Sequence, residues 1–312
     1  MSRLFELHLD KPLFKGTISI NTGLYVNGEF INATDGGTID IINPTTEKVI
    51  TSVSAGTSKD VDLAVEAALK AYRTSWGLKV PGSTRGRMLS RLADLIEENK
   101  EELAAIEVLN AGKPWHIARD IDIKTSLEAL RYYAGLADKV HGKTIETTEN
   151  KLAYTRHEPY GVVGVILPWN WPLVGLSLTT INQYNNTSFQ MLLLTKVAPA
   201  LATGNTVVIK PSEITPLSAL KLAGMLKEAG FPPGVVNIVN GYGKTVGEAM
   251  AYHPLIGKLT FTGSTLVGRR VKEASAKSNL KSVSLELGGK SPNIIFDDAN
   301  IEQAVKWASS IL

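Results

Sequence analysis

The chain has 312 residues, of which 44% are hydrophobic and 20% charged, a composition typical of a globular protein with room for two domains. The net charge of +3 is small and Lys and Arg are scattered, so the basic patch expected of a nucleic-acid-binding protein is missing. Cysteine is absent, which excludes disulfides, thiolate metal sites and thiol catalysis within these residues. The histidines are too far apart along the chain to predict a metal site.

The amino-terminal residues do not have the pattern of a targeting signal. Residues 1–10 mix charged residues with single apolar ones, without the apolar core of a signal peptide. The apolar runs of the chain are far shorter than the ~20 residues of a membrane-spanning helix. We therefore expect a cytoplasmic protein that does not bind a membrane.

The first part of the chain is predicted to form strands and then helices. Asn27-Gly28 lies between two short apolar runs at 24–30 and predicts a hairpin, and 39–49 continues as strand with a turn at Asn43-Pro44. The apolar period then changes to that of helices. The predicted helices are a capped helix from Thr57, a second around 89–96, a third from Asn99 to Asn110 capped by Asn99 and Glu102, and a fourth at 121–140.

The second part of the chain has a strand–helix rhythm. A polar, Thr-rich segment at 143–156 first predicts an exposed hairpin. Short β-branched runs then recur at 161–167, 206–209, 235–239, 259–261 and 283–285, and helical stretches such as 216–229 separate most of them. This alternation predicts an α/β fold with a doubly wound, mostly parallel sheet, in which ligands bind at the carboxyl ends of the strands.

A proline-bounded loop, PWNWP at 168–172, follows the run at 161–167. The two prolines restrict the backbone and leave Asn170 as a rigidly held amide, which could donate to a developing oxyanion. The alternative is a turn asparagine between two packed tryptophans.

The run at 206–209 is followed by KPSE at 210–213. At the end of a strand, Glu213 can accept hydrogen bonds from ribose hydroxyls and Lys210 can donate them. The alternative is a surface ion pair beside a turn.

Two glycine-containing segments follow later strands. In TGSTLVGR at 262–269, two glycines at a strand–helix junction allow a ligand to approach the backbone, and the helix N-terminus favours phosphate. The third glycine of the usual dinucleotide fingerprint is missing. The segment YGKT at 242–245 is similar to the end of a Walker loop, but Ile238 occupies the position of its first glycine, so a nucleotide triphosphatase is not predicted.

The last motif is LELGGKSP at 285–292. Burying Glu286 within an apolar strand would be costly without a function, and such a carboxyl group suits a general base. The alternative is a salt bridge between Glu286 and Lys290.

Taken in order, PWNWP, KPSE, FTGSTLVGR and LELGGKSP closely resemble the motifs of the NAD(P)⁺-dependent aldehyde dehydrogenase superfamily. The resemblance covers nearly all of the chain from about Leu24, and it is to the hydroxylating enzymes of cytosolic and mitochondrial type. It implies a Rossmann-like NAD domain and the oxidation of an aldehyde to a carboxylic acid with NAD⁺. In this family the reaction proceeds through a thiohemiacetal and a thioester on a catalytic cysteine.

The resemblance implies roles for the matching residues. Asn170 would donate to the oxyanion, and Glu286 would activate the water that hydrolyses the thioester. Glu213 would bind the ribose 2′-hydroxyl and so favour NAD⁺ over NADP⁺, whose 2′-phosphate would meet its charge. The other implied cofactor contacts are Leu167, Pro168 and Trp169 along the cleft, Lys210 and Ser212 near the ribose, Gly243, Gly263, Ser264 and Gly268 near the phosphates, and Leu287 and Gly288 near the nicotinamide.

The resemblance also implies a division of the chain into domains. Residues 1–142 and 159–285 would form the dinucleotide-binding domain, 143–158 an oligomerisation hairpin, and 286–312 the truncated start of a catalytic domain. The implied partners are a small aldehyde and further copies of the chain in a homodimer or homotetramer, without metal.

The chain departs from the family pattern at two places. The family's cysteine lies some thirty residues beyond the position of Glu286, but 287–312 contains no cysteine, and Ser309 and Ser310 are much weaker nucleophiles. In addition, an Asn- and Thr-rich insert occupies 174–190, next to the predicted active-site loop.

Three interpretations follow. The chain is an aldehyde dehydrogenase by descent, or a non-catalytic NAD-binding module that pairs with full-length subunits, or an unstable product of a faulty gene model. The third is favoured by a final helix that would leave Val305 and Trp307 uncovered.

We predict that the insert at 174–190 is a retained intron. Its first codon encodes Val and begins with GT, and its last encodes Gln, for which CAG is one codon. Sequencing cDNA across the region should recover transcripts without the insert. If every transcript keeps it, the insert is a genuine loop.

Overall fold

The computed structural model describes residues 4–170, 172, 193–290 and 292–310. The insert at 174–190 therefore lies outside the described residues. The chain begins with an antiparallel hairpin of β1 (Leu4–Lys11) and β2 (Phe14–Asn21). Sequence analysis missed this hairpin, although Phe5, Leu7 and Leu9 alternate with polar residues. The alternation places these three side chains on the less exposed face.

The hairpin predicted around Asn27-Gly28 is confirmed. It consists of β3 (Leu24–Val26) and β4 (Glu29–Ile31). Asn27 and Gly28 have φ angles of 55° and 85°, as a tight two-residue turn between twisted strands requires. A second hairpin of β5 (Thr38–Ile42) and β6 (Val49–Ser54) turns at the predicted Asn43-Pro44.

The first helices lie where the apolar pattern predicts them, but one predicted helix cap does not form. They are α1 (Ser58–Thr74), α2 (Gly82–Glu98) and α3 (Lys100–Ala111), with a short 3₁₀ turn at Gly77–Lys79. The capping box of Asn99 and Glu102 is wrong. The Asn99 amide donates back to Leu95 O because Asn99 also ends α2, and Glu102 accepts from Ser19 N and pairs with Lys221 at 2.6 Å.

The fourth predicted helix has different bounds. It comprises α4 (Trp115–Ile117), a π-helical stretch at Ala118–Ile123 and α5 (Lys124–Leu136). It begins early because Pro114 is well suited to the start of a helix. It ends before Val140, which is exposed and so provides no apolar contact to extend it.

The predicted exposed hairpin and the last helix are both present. The hairpin consists of β7 (Thr144–Ile145) and β8 (Ala153–Tyr154), and the described chain ends with α10 (Ile301–Ser310). Within the described ranges, no helix is long and apolar enough to cross a membrane.

A seven-stranded sheet forms the centre of the fold. Its later strands are β9 (Val162–Ile166), β10 (Thr206–Lys210), β11 (Val236–Ile238), β12 (Ile256–Gly263) and β13 (Ser282–Leu287). The connecting helices are α6 (Leu193–Ala202), α7 (Leu217–Leu226), α8 (Glu248–Tyr252) and α9 (Thr265–Lys277). The strand order is β13-β12-β9-β10-β11-β3-β4, parallel except for the pairs β11–β3 and β3–β4.

Apolar cores cover both faces of the sheet. One core includes side chains of α2, α3, α5, α6 and α7, and the other includes side chains of α1, α8 and α9. Strands β9 and β10 are buried throughout, as their continuous β-branched sequences predict. The α/β fold with a doubly wound, mostly parallel sheet is therefore confirmed.

His253, just after α8, is predicted to make stability depend on pH. Its Nδ1 accepts from Leu255 N, and its Nε2 lies 3.3 Å from Asp62 Oδ1. Burial lowers the pKa of His253, against the raising effect of Asp62 and Glu66, and Lys281 lowers it further. The pKa of His253 in the folded protein is below the unfolded value of about 6.5. The contribution of the neutral imidazole to the free energy of unfolding is therefore complete above about pH 6.5 and is lost as the pH falls below it.

We therefore expect the free energy of unfolding in urea to fall from about pH 7.5 to about pH 5.5. The fall should be smaller in His253→Asn, whose side-chain oxygen can still accept from Leu255 N but does not titrate. Equal falls in both proteins would contradict the prediction.

Candidate active site

The candidate site lies where the order of the parallel strands reverses. Strand β9 is first in sequence but central in the sheet, with β10 on one side and β12 on the other. The helix after β9, α6, packs on one face of the sheet and the helix after β12, α9, packs on the other, which opens a crevice at the carboxyl ends of β9 and β12. Phe261 pairs with Ile166 in this register, so the loops after the two strands begin side by side.

The loop after β9 leaves the sheet and reaches the surface. Leu167 is buried and its N donates to Lys210 O at 3.0 Å. Pro168 is half-buried, whereas Trp169 and Asn170 are exposed. Thr215 Oγ1 donates to Trp169 O at 3.1 Å and holds the loop. Trp169 is 58% exposed, and the second tryptophan of the motif lies outside the described residues.

The loop after β10 contains a buried ion pair. Lys210 is 2% exposed, and its Nζ contacts Glu213 Oε2 and Pro211 O, both at 3.0 Å. Burial lowers the pKa of Lys210, and the charge of Glu213 opposes the shift. Glu213 remains about one-third exposed and Ser212 is buried. The pair is therefore not the simple surface contact that sequence analysis left open.

The loop after β11 approaches Lys210 from the neighbouring strand. A π-helical stretch, Gly243–Gly247, begins after the exposed Tyr242. Gly243 has open space where a Cβ would be, and a Cβ on Gly247 would lie 3.7 Å from Lys210 Cδ. This stretch thus approaches Lys210 at Gly247 and has open backbone at Gly243.

The junction of β12 and α9 contains the predicted phosphate-binding residues. Gly263 ends β12, and Ser264 caps α9 by accepting from Val267 N at 3.3 Å. Gly268 is buried, and a Cβ there would lie 2.5 Å from Leu287 Cδ2. A side chain at 268 would therefore displace the end of Leu287 on β13, whereas Ser264 is exposed at the start of the helix.

Glu286 lies near the end of β13, opposite Thr262 in the sheet register. It is half-buried, and β13 is the edge strand of the sheet, with β12 as its neighbour. Leu287 and Gly288 follow it and are exposed. The Oγ1 of Thr262 is buried and has no hydrogen-bond partner among the described residues.

Sequence analysis did not single out Lys196 of α6. Its Nζ donates to Thr260 Oγ1 at 2.9 Å. Burial lowers the pKa of Lys196; of the nearby charges, Glu286 opposes the shift and Lys258 adds to it. The electrostatic neighbour of Glu286 is thus Lys196, whereas the proposed partner Lys290 is exposed. The only local signal was a lysine within an otherwise apolar helix.

Comparison with known proteins identifies the family of the chain. The model of the aldehyde dehydrogenase family matches residues 30–311. An aldehyde dehydrogenase from Agaricus bisporus is 53% identical over 309 residues, which are 99% of this chain and 58% of the relative. The NAD⁺ complex of aldehyde dehydrogenase from Bacillus cereus is 44% identical with a TM-score of 0.83, covering 91% of this chain and 54% of that one.

A further similar structure is PnpE with nicotinamide adenine dinucleotide, a protein known from Pseudomonas sp. WBC-3. It is 48% identical with a TM-score of 0.83, covering 91% of this chain and 54% of that one. The chain thus spans little more than half the length of these relatives. Over that span the family match, the sequence identity and the fold agree, and the chain belongs to the aldehyde dehydrogenase family.

Proposed function

We propose that this chain is the NAD⁺-binding part of an enzyme that oxidises a small aldehyde to a carboxylic acid. The observation that carries the proposal is the buried Lys210–Glu213 pair at the carboxyl end of β10, next to the crevice between β9 and β12. A carboxylate held in this position suits a ribose hydroxyl. Two similar structures contain NAD⁺, which supports the same cofactor here.

The residues of the site fit this cofactor. Lys210 fixes one carboxylate oxygen of Glu213, and the partial exposure of Glu213 leaves it accessible to a ribose. Its negative charge favours NAD⁺ over NADP⁺. Ser264 begins a helix of 13 residues whose N-terminus suits a phosphate. The unpartnered Thr262 Oγ1 offers one more polar contact at the end of β12.

NAD⁺ would supply the hydride acceptor when bound, and the chain's own residues orient the reactants and move protons. Asn170 donates its amide hydrogen to the oxygen of the reacting carbonyl. Glu286 takes a proton from the water that releases the acid, and Lys196 supplies a nearby positive charge whenever it is protonated. These 312 residues contain no cysteine, so the proposed oxidation requires a nucleophile from outside them.

We also propose the division of the chain that the family resemblance implies. Residues 1–142 and 159–285 bind the cofactor, 143–158 mediate oligomerisation, and 286–312 begin the catalytic domain. The exposed Leu152 and Tyr154 of the hairpin support a contact with a second copy. This hairpin also supports the second candidate function, a non-catalytic NAD-binding partner of full-length subunits. A cytoplasmic location stays a prediction.

We expect NAD⁺ at a hundred times its Kd to raise the free energy of unfolding by about 2.7 kcal/mol. Lys210→Met should abolish most of this increment because Glu213 loses the charge that orients it. The matched control is Lys281→Met, which removes another buried lysine, one that contacts Ala251 O and Ser278 Oγ. The control should keep the NAD⁺ increment even if the apoprotein is less stable. Equal increments in both variants would contradict the assignment.

Glu213→Gln is expected to reduce the preference for NAD⁺ over NADP⁺, because it removes the charge that repels a 2′-phosphate. Isothermal titration with each cofactor gives the ratio of the two Kd values. An unchanged ratio would show that another group discriminates between them.

The isolated chain should form no NADH from NAD⁺ and propanal, as measured by NADH absorbance, because it contains no cysteine. If NADH forms and Glu286→Gln abolishes its formation, another group of this chain replaces the cysteine.

A further inference from the structure

A second cleft, which we call the Lys196 cleft, opens beside α6. It has a volume of about 440 Å³ and lies between α6, β9, β12 and the segment 157–160. Val163, Pro199 and Ala200 contribute to a largely apolar wall. These residues are not among the proposed cofactor contacts, so the cleft is available to a different ligand.

The side chain of Lys196, whose amine is a nitrogen nucleophile, lines this cleft. Its Nζ is held by Thr260 Oγ1, and both residues line the cleft. A neutral hydroxyl stabilises an ammonium group less than a carboxylate would. Burial accordingly lowers the pKa of Lys196. The charge of Glu286 raises this pKa, whereas the charge of the nearby Lys258 lowers it further. A desolvated lysine next to another cation is a recognised way to obtain a reactive amine.

Two other buried lysines lack this combination. Burial also lowers the pKa of Lys210 and of Lys281. Lys210 is 2% exposed and paired with Glu213, and Lys281 is 5% exposed and donates to Ala251 O. Neither is among the residues that line the Lys196 cleft. Lys196 combines a lowered pKa with half-burial in an open apolar cleft.

We propose that the side-chain amine of Lys196 captures small apolar aldehydes in this cleft as a reversible imine. The cleft is large enough for a short aliphatic aldehyde, whose alkyl chain would pack against Val163, Pro199 and Ala200. The carbonyl carbon would then face Nζ, beside the hydroxyl of Thr260.

The chemistry balances without an oxidant. The neutral amine attacks the carbonyl carbon, and one proton moves from nitrogen to oxygen to give a carbinolamine. Loss of the hydroxyl group with the second amine proton then releases one water and leaves the carbon–nitrogen double bond. Glu286, whose charge acts on Lys196, is the carboxylate suited to relay these protons. Hydrolysis reverses each step.

Imine formation needs neither NAD⁺ nor a cysteine. It shares with the proposed function the aldehyde as ligand and the side chains of Lys196 and Glu286, but not the cofactor. Loss of NAD⁺ binding would therefore overturn the proposed function and leave this inference intact, and the trapping experiment below does not depend on NAD⁺.

The test is reductive trapping of the full chain with propanal and cyanoborohydride near neutral pH, stopped at low conversion. Peptide mass spectrometry then gives the propylation rate of each lysine. Because the pKa of Lys196 is lowered, a larger fraction of its amine is neutral near pH 7. We therefore expect Lys196 to be propylated faster than the cleft lysine Lys258, and faster than Lys210 and Lys281, which do not line the cleft.

Lys196→Arg should remove this fast modification and leave the rates at Lys258, Lys210 and Lys281 unchanged. A cooperative urea-unfolding transition would show that the variant folds. The inference is overturned if Lys196 in the wild-type chain reacts no faster than Lys258. It is also overturned if the fast site is Lys210 or Lys281, since burial without the cleft would then explain the reactivity.

Discussion

Parallel strands can pair only if the chain crosses back over the sheet between them, and here helices make most of these crossings. Among the parallel strands, the central strand β9 comes first in sequence, and the chain continues to β10 on one side and later to β12 on the other, so the connections diverge. The divergence opens a crevice at the carboxyl ends of β9 and β12. The loop with Asn170 and the junction with Ser264 begin next to each other for this reason, although they are far apart in sequence.

The cofactor region and the Lys196 cleft both depend on lysines removed from water. An isolated buried ammonium is expensive, so each lysine needs compensating contacts. Lys210 has a carboxylate partner, Glu213, and we propose that this pair binds ribose. Lys196 has a hydroxyl partner and only an electrostatic neighbour in Glu286. The same residue type therefore serves as a fixed charge in one place and, as proposed, as a reactive amine in the other.

A third buried group of charges connects helices away from both sites. Lys113 Nζ contacts Asp122 Oδ2 at 2.5 Å and lies 3.8 Å from Glu107, and Ser218 of α7 donates to Glu107. Burial raises the pKa of Asp122, against the opposing effect of Lys113. These contacts tie α3 to the π-helical stretch and to α7, and α7 follows the loop that contains Lys210 and Glu213. The cluster thus supports the position of that loop.

The sequence alone determined the features that depend on neighbouring residues. Asn27-Gly28 predicted a turn because both residues tolerate positive φ, and the β-branched runs predicted buried parallel strands because such strands are covered on both faces. The ordered motifs from PWNWP to LELGGKSP were enough to predict the family. Only the tertiary structure showed that Glu286 is half-buried, that Glu102 binds strand β2 and does not cap α3, and that Lys196 meets Thr260. These outcomes depend on contacts between residues 64 and 83 positions apart, as for Lys196 with Thr260 and Ser19 with Glu102, and no local pattern specifies such contacts.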